Sequence, residues 1–382
     1  MNKKKIFIIA GEPSGDRLGG MLVKSLRKKC TYKLDIYGIG GSDLLSNGLK
    51  PIFPISDISV MGFTSVLFNI HRLIKRIQET SSAIIKLNPD IVITIDSPDF
   101  CFRVAERVKK TKSSVKIVHY VAPQIWAWRE SRAKNMNKFI DHLIAIFPFE
   151  KVYFDKYNLP CSYFGNPLVE LDFSHADISA FISTNNISKD YFKILLFPGS
   201  RISDVPRLLN IFLASINNLR RSGKKIHVII PTLDELKNVI KKEMVKVSFP
   251  YTIVTKKADK NAAYKSADVA VATSGTVSVD LAVARVPYIT AKKVSFLSYL
   301  IAKILVKIKF INMINILMEK EVVPELIQKD CNPQKISYLI NSLLESEKKR
   351  NEQLDHTKEA LKKIGFGDNP NDKIADSIIE FI

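Results

Sequence analysis

The feature that most constrains the fold is a regular alternation of short β-branched runs with longer amphipathic runs. In the first half of the chain this pattern predicts five strands with helices between them. The predicted strands are Ile6–Ala10, Leu34–Tyr37, Ile91–Ile95, Val115–Tyr120 and Leu143–Phe147, and the clearest predicted helices are Arg17–Lys29, Ser65–Lys86 and Phe100–Lys110. Such alternation is typical of βαβ units, so we expect an α/β fold with a mostly parallel sheet.

The alternation stops between Asn166 and Asp190 and then starts again, which predicts two α/β domains of similar architecture. The second group of predicted strands is Lys193–Phe197, His227–Ile230, Thr252–Val254, Val269–Ala272 and Tyr288–Thr290. We therefore expect one domain over residues 1–168 and a second over residues 186–367, and the length of 382 residues also favours two. The C-terminal segment, about 368–382, holds a predicted amphipathic helix from Asp372 to Ile382 that can pack on either half.

The composition is that of a globular protein, since 46% of the residues are hydrophobic and 25% are charged. No signal peptide is expected, because the apolar run Ile6–Ala10 is short. The most membrane-like segment, Val294–Met318, contains lysines and is not expected to span a bilayer. The four cysteines and six histidines lack the spacing of metal ligands, so we expect a reducing cytoplasm and no metal site.

The formal net charge of +20 favours an anionic partner, namely nucleic acid, an anionic membrane surface or a small anionic substrate. A lysine-rich, solvated surface explains much of this excess. It does not explain the local clustering, since residues 291–318 contain five lysines and no acidic residue. Against nucleic acid, no recognised binding motif is present in the sequence.

Three predicted strand-to-helix junctions are rich in glycine and hydroxyl residues, as phosphate-binding turns are. They are the segments GEPSGD (11–16), FPGSR (197–201) and TSGTVSVD (273–280). Because many ordinary capped turns have the same composition, each signal is weak when taken alone. The candidate residues in the first two segments are Glu12, Ser14, Gly15 and Asp16 for a cleft, and Gly199, Ser200 and Arg201 for a phosphate.

In the FPGSR segment, Ser200 can cap the next helix, and Arg201 can hold a phosphate through two parallel hydrogen bonds. An ordinary capped turn with a solvated arginine is an equally good interpretation of this segment alone. In the third junction, residues Ser274, Gly275 and Thr276 are predicted to form an anion cradle. Asp280 lies one turn further along the same helix, where a carboxylate suits ribose hydroxyls. Both junctions fall in the second half, so a nucleoside diphosphate could bridge them.

Asp96 is the candidate general base, because it directly follows the predicted strand Ile91–Ile95. A carboxylate at the carboxyl end of a strand can deprotonate a hydroxyl nucleophile. The alternative role for an acid in this turn is to cap the next helix, and Asp99 suits that role. Two acids in one turn allow both roles.

Both tryptophans of the chain, Trp126 and Trp128, lie just past the predicted strand Val115–Tyr120. With Arg129 and Arg132 beside them they form a predicted ligand wall, since arginines rarely belong to a core. The alternative is a pair of core tryptophans on one face of a strand. We favour the ligand wall.

The segment Ser59–Phe68 is strongly apolar and is followed by the basic residues His71, Arg72, Lys75 and Arg76. Together they form an apolar and basic segment whose composition suits contact with acyl chains or an anionic bilayer. Its candidate contact residues are Val60, Met61, Phe63, Leu67 and Phe68. The stretch Phe296–Phe310 combines an apolar face with lysines in the same way. For each segment alone, a core-packing helix with a solvated face is the stronger interpretation.

Together these segments resemble the lipid-A-disaccharide synthases, a family of GT-B glycosyltransferases, along essentially the whole chain. The resemblance is carried by AGEPSGD (10–16), VMGF (60–63), DSPDF (96–100), HYVAPQIWAWRESR (119–132), PFEKVYFDKYNLPC (148–161), FPGSR (197–201) and SGT (274–276). The tryptophan segment and the AGEPSGD turn are the distinctive parts. The resemblance implies the GT-B fold, in which two Rossmann-like α/β domains face each other across a cleft.

The resemblance also implies a reaction. A 2,3-diacylglucosamine unit would pass from UDP-2,3-diacylglucosamine to 2,3-diacylglucosamine 1-phosphate (lipid X), with inversion at the anomeric carbon and without a metal or other cofactor. The products would be the β-1,6-linked disaccharide 1-phosphate and UDP. Such an enzyme works as a peripheral protein at the cytoplasmic face of the inner membrane. Family members are described as homodimers with exchanged C-terminal segments.

The family's site residues carry over where its motifs match. Asp96 becomes the general base on the acceptor 6-hydroxyl, Arg201 and residues 274–276 hold the UDP diphosphate, and Asn315 matches a donor-site asparagine. Two departures are Asn166, where many relatives have histidine, and Asp280, where a glutamate is usual.

Two other functions stay open at this point. One is a GT-B enzyme resembling UDP-N-acetylglucosamine 2-epimerase, which would prefer unacylated UDP sugars. The other is a basic nucleic-acid-binding protein, which would bind with a steep dependence on salt.

Overall fold

The computed structural model describes residues 3–59, 70–126, 130–202, 204–295, 299 and 308–382. The chain divides into two compact units. Unit 1 comprises Met1–Glu170 and Ile364–Ile382, and unit 2 comprises Leu171–Lys363. Among the described residues, no helix is long and apolar enough to cross a membrane.

Unit 1 is built on a parallel sheet of seven strands. The strands are β1 Lys3–Ala10, β2 Lys33–Ile39, β3 Leu49–Pro51, β4 Ile91–Ile95, β5 Ile117–Tyr120, β6 His142–Ala145 and β7 Cys161–Tyr163. Their spatial order is β3-β2-β1-β4-β5-β6-β7, so the direction of winding reverses between β1 and β4. All five residues of β4 are buried, as expected for a central strand that is covered on both faces.

The helices of unit 1 that precede residue 170 cover this sheet. They are α1 Pro13–Lys29, α2 Ser42–Ser46, α3 Ile70–Leu87, α4 Pro98–Thr111 and α5 Lys151–Asp155, with 3₁₀ turns at Ile55–Asp57, Glu130–Lys138 and Pro167–Glu170. A proline in the first turn starts both α1 and α4, where its missing N–H has no partner to lose. The buried faces of α3 and α4 join β1, β4 and β5 in one hydrophobic core.

Unit 2 repeats the architecture with a parallel sheet of six strands. The strands are β8 Phe192–Phe197, β9 Ile226–Pro231, β10 Tyr251–Val254, β11 Val269–Ala272, β12 Tyr288–Lys292 and β13 Glu325–Ile327. The order β10-β9-β8-β11-β12-β13 reverses between β8 and β11. Each unit therefore has one topological switch point, which is where ligands bind in open α/β sheets.

The helices of unit 2 pack on both faces of its sheet. They are α6 Ile178–Thr184, α7 Val205–Arg221, α8 Asp234–Met244, α9 Lys257–Ser266, α10 Val277–Ala284, α11 Met313–Met318, α12 Pro333–Glu345 and α13 Glu347–Lys363. A core of α7, α8 and α12 residues covers one face of β8, β9 and β11.

The C-terminal helix α14, Pro370–Ile379, returns to unit 1 and packs on α1. Lys28 and Lys29 of α1 form ion pairs with Asp372 and Asp376 at 2.9 and 2.7 Å. The predicted amphipathic helix is thus present, two residues earlier at its start, and it lies on its own N-terminal half. Exchange of this segment between subunits stays a prediction.

The ten predicted strands are all present within a few residues of their expected ends, and so is the parallel α/β architecture. Three short strands, β3, β7 and β13, were not predicted, because three residues are too few to reveal a period. The predicted helix Ser65–Lys86 corresponds to α3 from Ile70 onward, and residues 65–69 lie outside the described residues.

Candidate functional site

The first candidate site lies at the switch point of unit 1. Ala10 pairs with Ile95 across β1 and β4, so the GEPSGD turn and Asp96 leave the sheet side by side. The hydroxyl of Ser14 donates a hydrogen bond to Oδ2 of Asp96 at 3.4 Å. Both residues are half-buried, as is Glu12 at the N-cap position of α1. The structure thus brings Ser14 and the proposed base together.

Two glycines allow this close approach. A Cβ atom on Gly11 would lie 2.4 Å from Oγ and 2.6 Å from Cβ of Ser97. A Cβ atom on Gly15 would lie 3.1 Å from the carbonyl oxygen of Ile95. The turn can therefore pack against the end of β4 because residue 11 has no side chain there.

The backbone at the end of β4 is strained. Asp96 and Ser97 have φ angles of +54° and +46°, a left-handed conformation that non-glycine residues rarely adopt. Val121, at the end of the neighbouring strand β5, has a φ of +75°, which is unusual for a β-branched residue. Such conformations cost about 1–3 kcal/mol each and concentrate at active sites. The strain therefore marks the same edge of the sheet as the Ser14–Asp96 contact.

The electrostatics of Asp96 suit a proton acceptor. Burial raises the pKa of its carboxyl, and the backbone N–H of Ser97 and the Ser14 hydroxyl partly offset that rise. The Ser97 N–H donates to Oδ1 at 2.8 Å, which fixes the orientation of the carboxylate. A carboxylate with a raised pKa is a stronger base than one in water.

Two acids of this region have structural roles that differ from the predicted ones. Asp16 is 3% exposed and accepts N–H bonds from Gly41, Asp43 and Leu44 at 2.7, 2.9 and 3.0 Å. Its carboxylate therefore holds the start of α2, and it is not available for the predicted cleft contact. The prediction that Asp99 caps α4 is also wrong, because Ser97 is the N-cap residue. Asp99 lies in the first turn and forms an ion pair with Arg132.

Trp126 is anchored by a glutamate that the sequence patterns do not reveal. Its half-buried indole donates a hydrogen bond from Nε1 to Glu150 at 3.3 Å, and its ring meets Phe149 edge-on at 5.0 Å. Glu150 is 1% exposed and also accepts the N–H groups of Ile146 and Phe147. Burial raises the pKa of Glu150 to about 8. The signal that could have found it is an acid three residues after the strand-like run that ends at Phe147, in the PFE triplet (148–150).

Arg132 of the predicted wall is paired with Asp99, whereas two other wall residues and the predicted acyl-contact residues lie outside the described residues. They are Trp128, Arg129, Val60, Met61, Phe63, Leu67 and Phe68. The described part of the apolar and basic segment begins in α3, where Arg72 and Arg76 form ion pairs with Asp57.

The second candidate site lies at the switch point of unit 2. Phe197 pairs with Ala272, so the FPGSR and SGT loops leave β8 and β11 next to each other. Gly199 and Gly275 have φ angles of +111° and +119°, which glycine adopts without strain. A Cβ atom on Gly199 would lie 3.7 Å from Oγ1 of Thr273, so the FPGSR loop lies within van der Waals distance of the loop that follows β11.

The loop that precedes α10 offers groups for an anion. Gly275 and Thr276 are exposed, and Thr276 occupies the N-cap position of α10. The start of a helix carries a partial positive charge, although in α10 the N–H groups of Ser278 and Val279 already donate to the carbonyls of Gly275 and Thr276. Ser274 instead uses its hydroxyl to donate to the carbonyl of Ile311, so Thr276 supplies the exposed hydroxyl of this loop.

Arg201 supplies the positive charge of the neighbouring loop. Its side chain is 52% exposed, and its guanidinium lies 4.0 Å from the carboxylate of Asp204. Ser200 is exposed, but the prediction that it caps the next helix is wrong, since α7 begins at Val205 after Asp204. Gly199, Arg201 and residues 274–276 thus lie at one edge of the sheet.

Asn315 and Asp280, the two residues expected to contact the UDP-sugar donor, are both buried. Asn315 is 0% exposed: its Nδ2 donates to Val323 and Glu325, and its Oδ1 accepts the N–H groups of Val322 and Val323. All four of its side-chain hydrogen-bonding positions are used within the protein, so Asn315 has a structural role, and its contact with the UDP-sugar donor stays a prediction. Asp280 is 7% exposed and lies 3.5 Å from the Tyr264 hydroxyl, which leaves it little access to a ribose.

Asn166, which stands where many relatives were expected to have histidine, is also a structural residue. It is 1% exposed, its N–H donates to the carbonyl of Ile364, and its Oδ1 accepts the N–H of Leu168. Among the described residues, no three His, Cys, Asp or Glu side chains cluster as a metal site would require.

Sequence comparison identifies the family. A family model described as Lipid-A-disaccharide synthetase matches residues 6–379. The chain belongs to the lipid-A-disaccharide synthase family. A synthase from Rhodospirillum centenum is 35% identical over 99% of this chain and 94% of its own length. One from Rickettsia bellii is 37% identical over 96% of this chain and 95% of its own length. The family's members are glycosyltransferases of lipid A biosynthesis, so the chain is an enzyme of that kind.

Solved structures confirm the expected two-domain α/β fold of GT-B enzymes. Staphylococcus aureus MnaA with UDP superposes with a TM-score of 0.70 at 14% identity, over 99% of this chain and 98% of that one. UDP-GlcNAc 2-epimerase from Neisseria meningitidis bound to UDP-GlcNAc gives 0.63 at 13% identity over the whole of both chains. Acinetobacter baumannii MurG gives 0.57 at 13% identity, over 99% and 100%. At these identities the likeness concerns the fold and does not assign a reaction.

Proposed function

We propose that the enzyme transfers 2,3-diacylglucosamine from UDP-2,3-diacylglucosamine to the 6-hydroxyl of 2,3-diacylglucosamine 1-phosphate (lipid X). The products are the β-1,6-linked disaccharide 1-phosphate and UDP. Family membership supports a glycosyltransferase of lipid A biosynthesis. The observation that carries the mechanism is the strained Asp96 turn at the switch point of unit 1, with Ser14 bound to its carboxylate.

The proposed chemistry is a single displacement. The acceptor 6-hydroxyl oxygen attacks the anomeric carbon of the donor and passes its proton to Asp96. The bond from that carbon to the UDP oxygen breaks, and UDP departs with the electron pair. Because the attack comes from the face opposite the leaving group, the configuration inverts. The raised pKa of the Asp96 carboxyl favours acceptance of the proton.

The departing diphosphate needs neutralisation, which we assign to unit 2. Arg201 can make two parallel hydrogen bonds to phosphate oxygens. The exposed residues Gly275 and Thr276, with their backbone N–H groups, and the positive end of α10 lie on the adjacent loop. Preorganised donors of this kind stabilise charge as it develops, which lowers the barrier to departure.

The remaining parts of the proposal concern location and partners. Acylated anionic substrates and an anionic membrane surface fit the net charge of +20 and the absence of a spanning helix among the described residues. We propose peripheral attachment at the cytoplasmic face of the inner membrane and a homodimer with exchanged C-terminal segments. No nucleic acid or cofactor enters the proposed reaction.

The proposal is tested with purified enzyme, lipid X and UDP-2,3-diacylglucosamine in detergent and EDTA. We expect disaccharide 1-phosphate and UDP from the wild type, and an Asp96→Asn variant that turns over roughly 10²–10⁴-fold more slowly. UDP affinity should be unchanged in that variant, because the groups assigned to UDP belong to unit 2.

Asp99→Asn is the matched control, since Asp99 lies three residues away in the same turn with a side chain 78% exposed. It should keep near-normal turnover. Normal turnover by Asp96→Asn would overturn the base assignment. UDP binding by the wild type without disaccharide formation would overturn the proposed substrates. Epimerisation of unacylated UDP-N-acetylglucosamine would favour the epimerase-like alternative.

A further inference from the structure

Lys292 lies beside the proposed diphosphate site of unit 2. It is the last residue of β12, which is the sheet neighbour of β11. Thr290 pairs with Ala272, so Lys292 and Ser274 each lie two residues beyond the same pair. Because neighbouring strands are about 4.8 Å apart, Lys292 leaves the sheet next to the 274–276 loop.

The Lys292 ammonium lacks a partner among the described residues. Its side chain is half-buried, and its ammonium makes no hydrogen bond or ion pair within the described part of the chain. Of the acids near it, Asp204 lies within 4.0 Å of the Arg201 guanidinium. Glu325, on the adjacent strand β13, already accepts the N–H groups of Ile311 and Asn312 and the amide of Asn315.

Arg201 lies close enough to Lys292 for its charge to act on the lysine. Burial lowers the pKa of Lys292 most, the Arg201 guanidinium lowers it further, and Asp204 partly opposes both. Two cations, Lys292 and Arg201, therefore lie near each other at this edge, and Asp204 is the acid that acts on both. A charge that is partly removed from water and only partly offset by Asp204 is costly, and a bound dianion at this edge would compensate it.

We propose that Lys292 binds the diphosphate of the UDP donor together with Arg201 and the 274–276 loop, and stabilises UDP as it leaves. The inference rests on the proposed function, because that function assigns the diphosphate to this edge of unit 2. Lys292 is then a third positive group in the site, one that the lysine-rich composition conceals in the sequence.

The arrangement predicts that UDP binding takes up a proton. A neighbouring diphosphate favours the charged ammonium, so it raises the pKa of Lys292 from its lowered value in the empty site. At pH values between these two pKa values, Lys292 is deprotonated in the empty enzyme and protonated in the UDP complex. UDP affinity should therefore fall as the pH rises through this interval.

The test is calorimetric titration of UDP into the full chain at several pH values and in buffers of different ionisation enthalpy. Lys292→Met should weaken UDP binding roughly tenfold to a hundredfold and abolish the proton uptake. Lys293→Met is the matched control, since Lys293 is the adjacent, exposed lysine and should bind UDP as the wild type does. Lys292→Arg should keep most of the affinity and lose the pH dependence.

The outcomes separate the two proposals. Wild-type UDP affinity and proton uptake in Lys292→Met would overturn the role of Lys292 and leave the proposed function standing. Failure of the wild type to bind UDP would overturn both. Circular dichroism checks that Lys292→Met is folded, and Lys292→Gln serves as a second neutral variant in the same titration.

Discussion

The buried carboxyl of Glu150 makes a specific prediction about stability. Glu150 accepts three hydrogen bonds, from the Trp126 indole and from the N–H groups of Ile146 and Phe147. Its pKa is about 8 in the folded chain, against an ordinary value of 4.5. The perturbation we consider is Glu150→Gln, which keeps the size of the side chain and removes its titration.

Whether stability rises or falls with pH depends on which state, folded or unfolded, holds the Glu150 proton. Below pH 4.5 both states are protonated, so the group adds no pH dependence. Between 4.5 and about 8 the unfolded chain releases the proton while the folded chain keeps it, so stability falls as the pH rises. At 1.36 kcal/mol per unit, this interval corresponds to a loss of about 5 kcal/mol. Above pH 8 the loss is complete and levels off.

Glutamine changes this balance in a pH-dependent way. The single oxygen of glutamine can accept the two backbone N–H groups. Its NH2 group then faces the Trp126 N–H, so two donors meet and that hydrogen bond is lost. The variant should therefore be less stable than the wild type at pH 5, by about 1–3 kcal/mol for the lost bond. At pH 9 it should be the more stable of the two, because the wild type then buries a charged carboxylate.

The measurement is urea unfolding of both proteins from pH 5 to pH 9, followed by far-ultraviolet circular dichroism. The quantity compared is the difference in the free energy of unfolding between variant and wild type at each pH. A difference that stays constant across this range would refute the reasoning, because it would mean that Glu150 has the same pKa in both states.

Two further predictions concern the sites. Gly11→Ala places a Cβ atom 2.4 Å from the Ser97 hydroxyl, so it should cost about 1–3 kcal/mol of stability and lower kcat by displacing the Asp96 turn. Denaturation and turnover of Gly11→Ala check this, and unchanged values of both would contradict the packing argument. Asn315→Ala should lose roughly 2–4 kcal/mol of stability, because it leaves the N–H groups of Val322 and Val323 without an acceptor. The folded variant should keep its UDP affinity. Loss of UDP affinity without loss of stability, measured by calorimetry and urea unfolding, would restore Asn315 to the donor site.

The longer strands and their ends were predictable because buried parallel strands are continuous β-branched runs. Ile91–Ile95 illustrates this, since its residue pattern is enough to place Asp96 at the carboxyl end of a strand. The three-residue strands β3, β7 and β13 were not predictable, since they form only because neighbouring strands offer them an edge.

The roles of polar residues were harder to predict, because they depend on partners distant in the sequence. Asp16 looked like a ligand-binding acid, yet its oxygens accept N–H groups some 25 residues away. Asn315 resembled a donor contact, but it closes a local turn. Conversely, the sequence does not distinguish Glu150 from other acids or Lys292 from the four other lysines of residues 291–318, because burial and neighbouring charge set them apart and neither property is visible in the sequence.

The return of α14 to unit 1 has a consequence for synthesis and folding. The chain leaves unit 1 after Glu170 and re-enters it at Ile364, and the N–H of Asn166 bonds to the carbonyl of Ile364 at 2.8 Å. Unit 2 is thus an insertion whose flanking segments touch. On the ribosome, unit 2 has all its residues before unit 1 receives its last helix. Unit 1 therefore begins to emerge first and is completed last. Until α14 is synthesised, the face of α1 that it covers has no α14 to pack against.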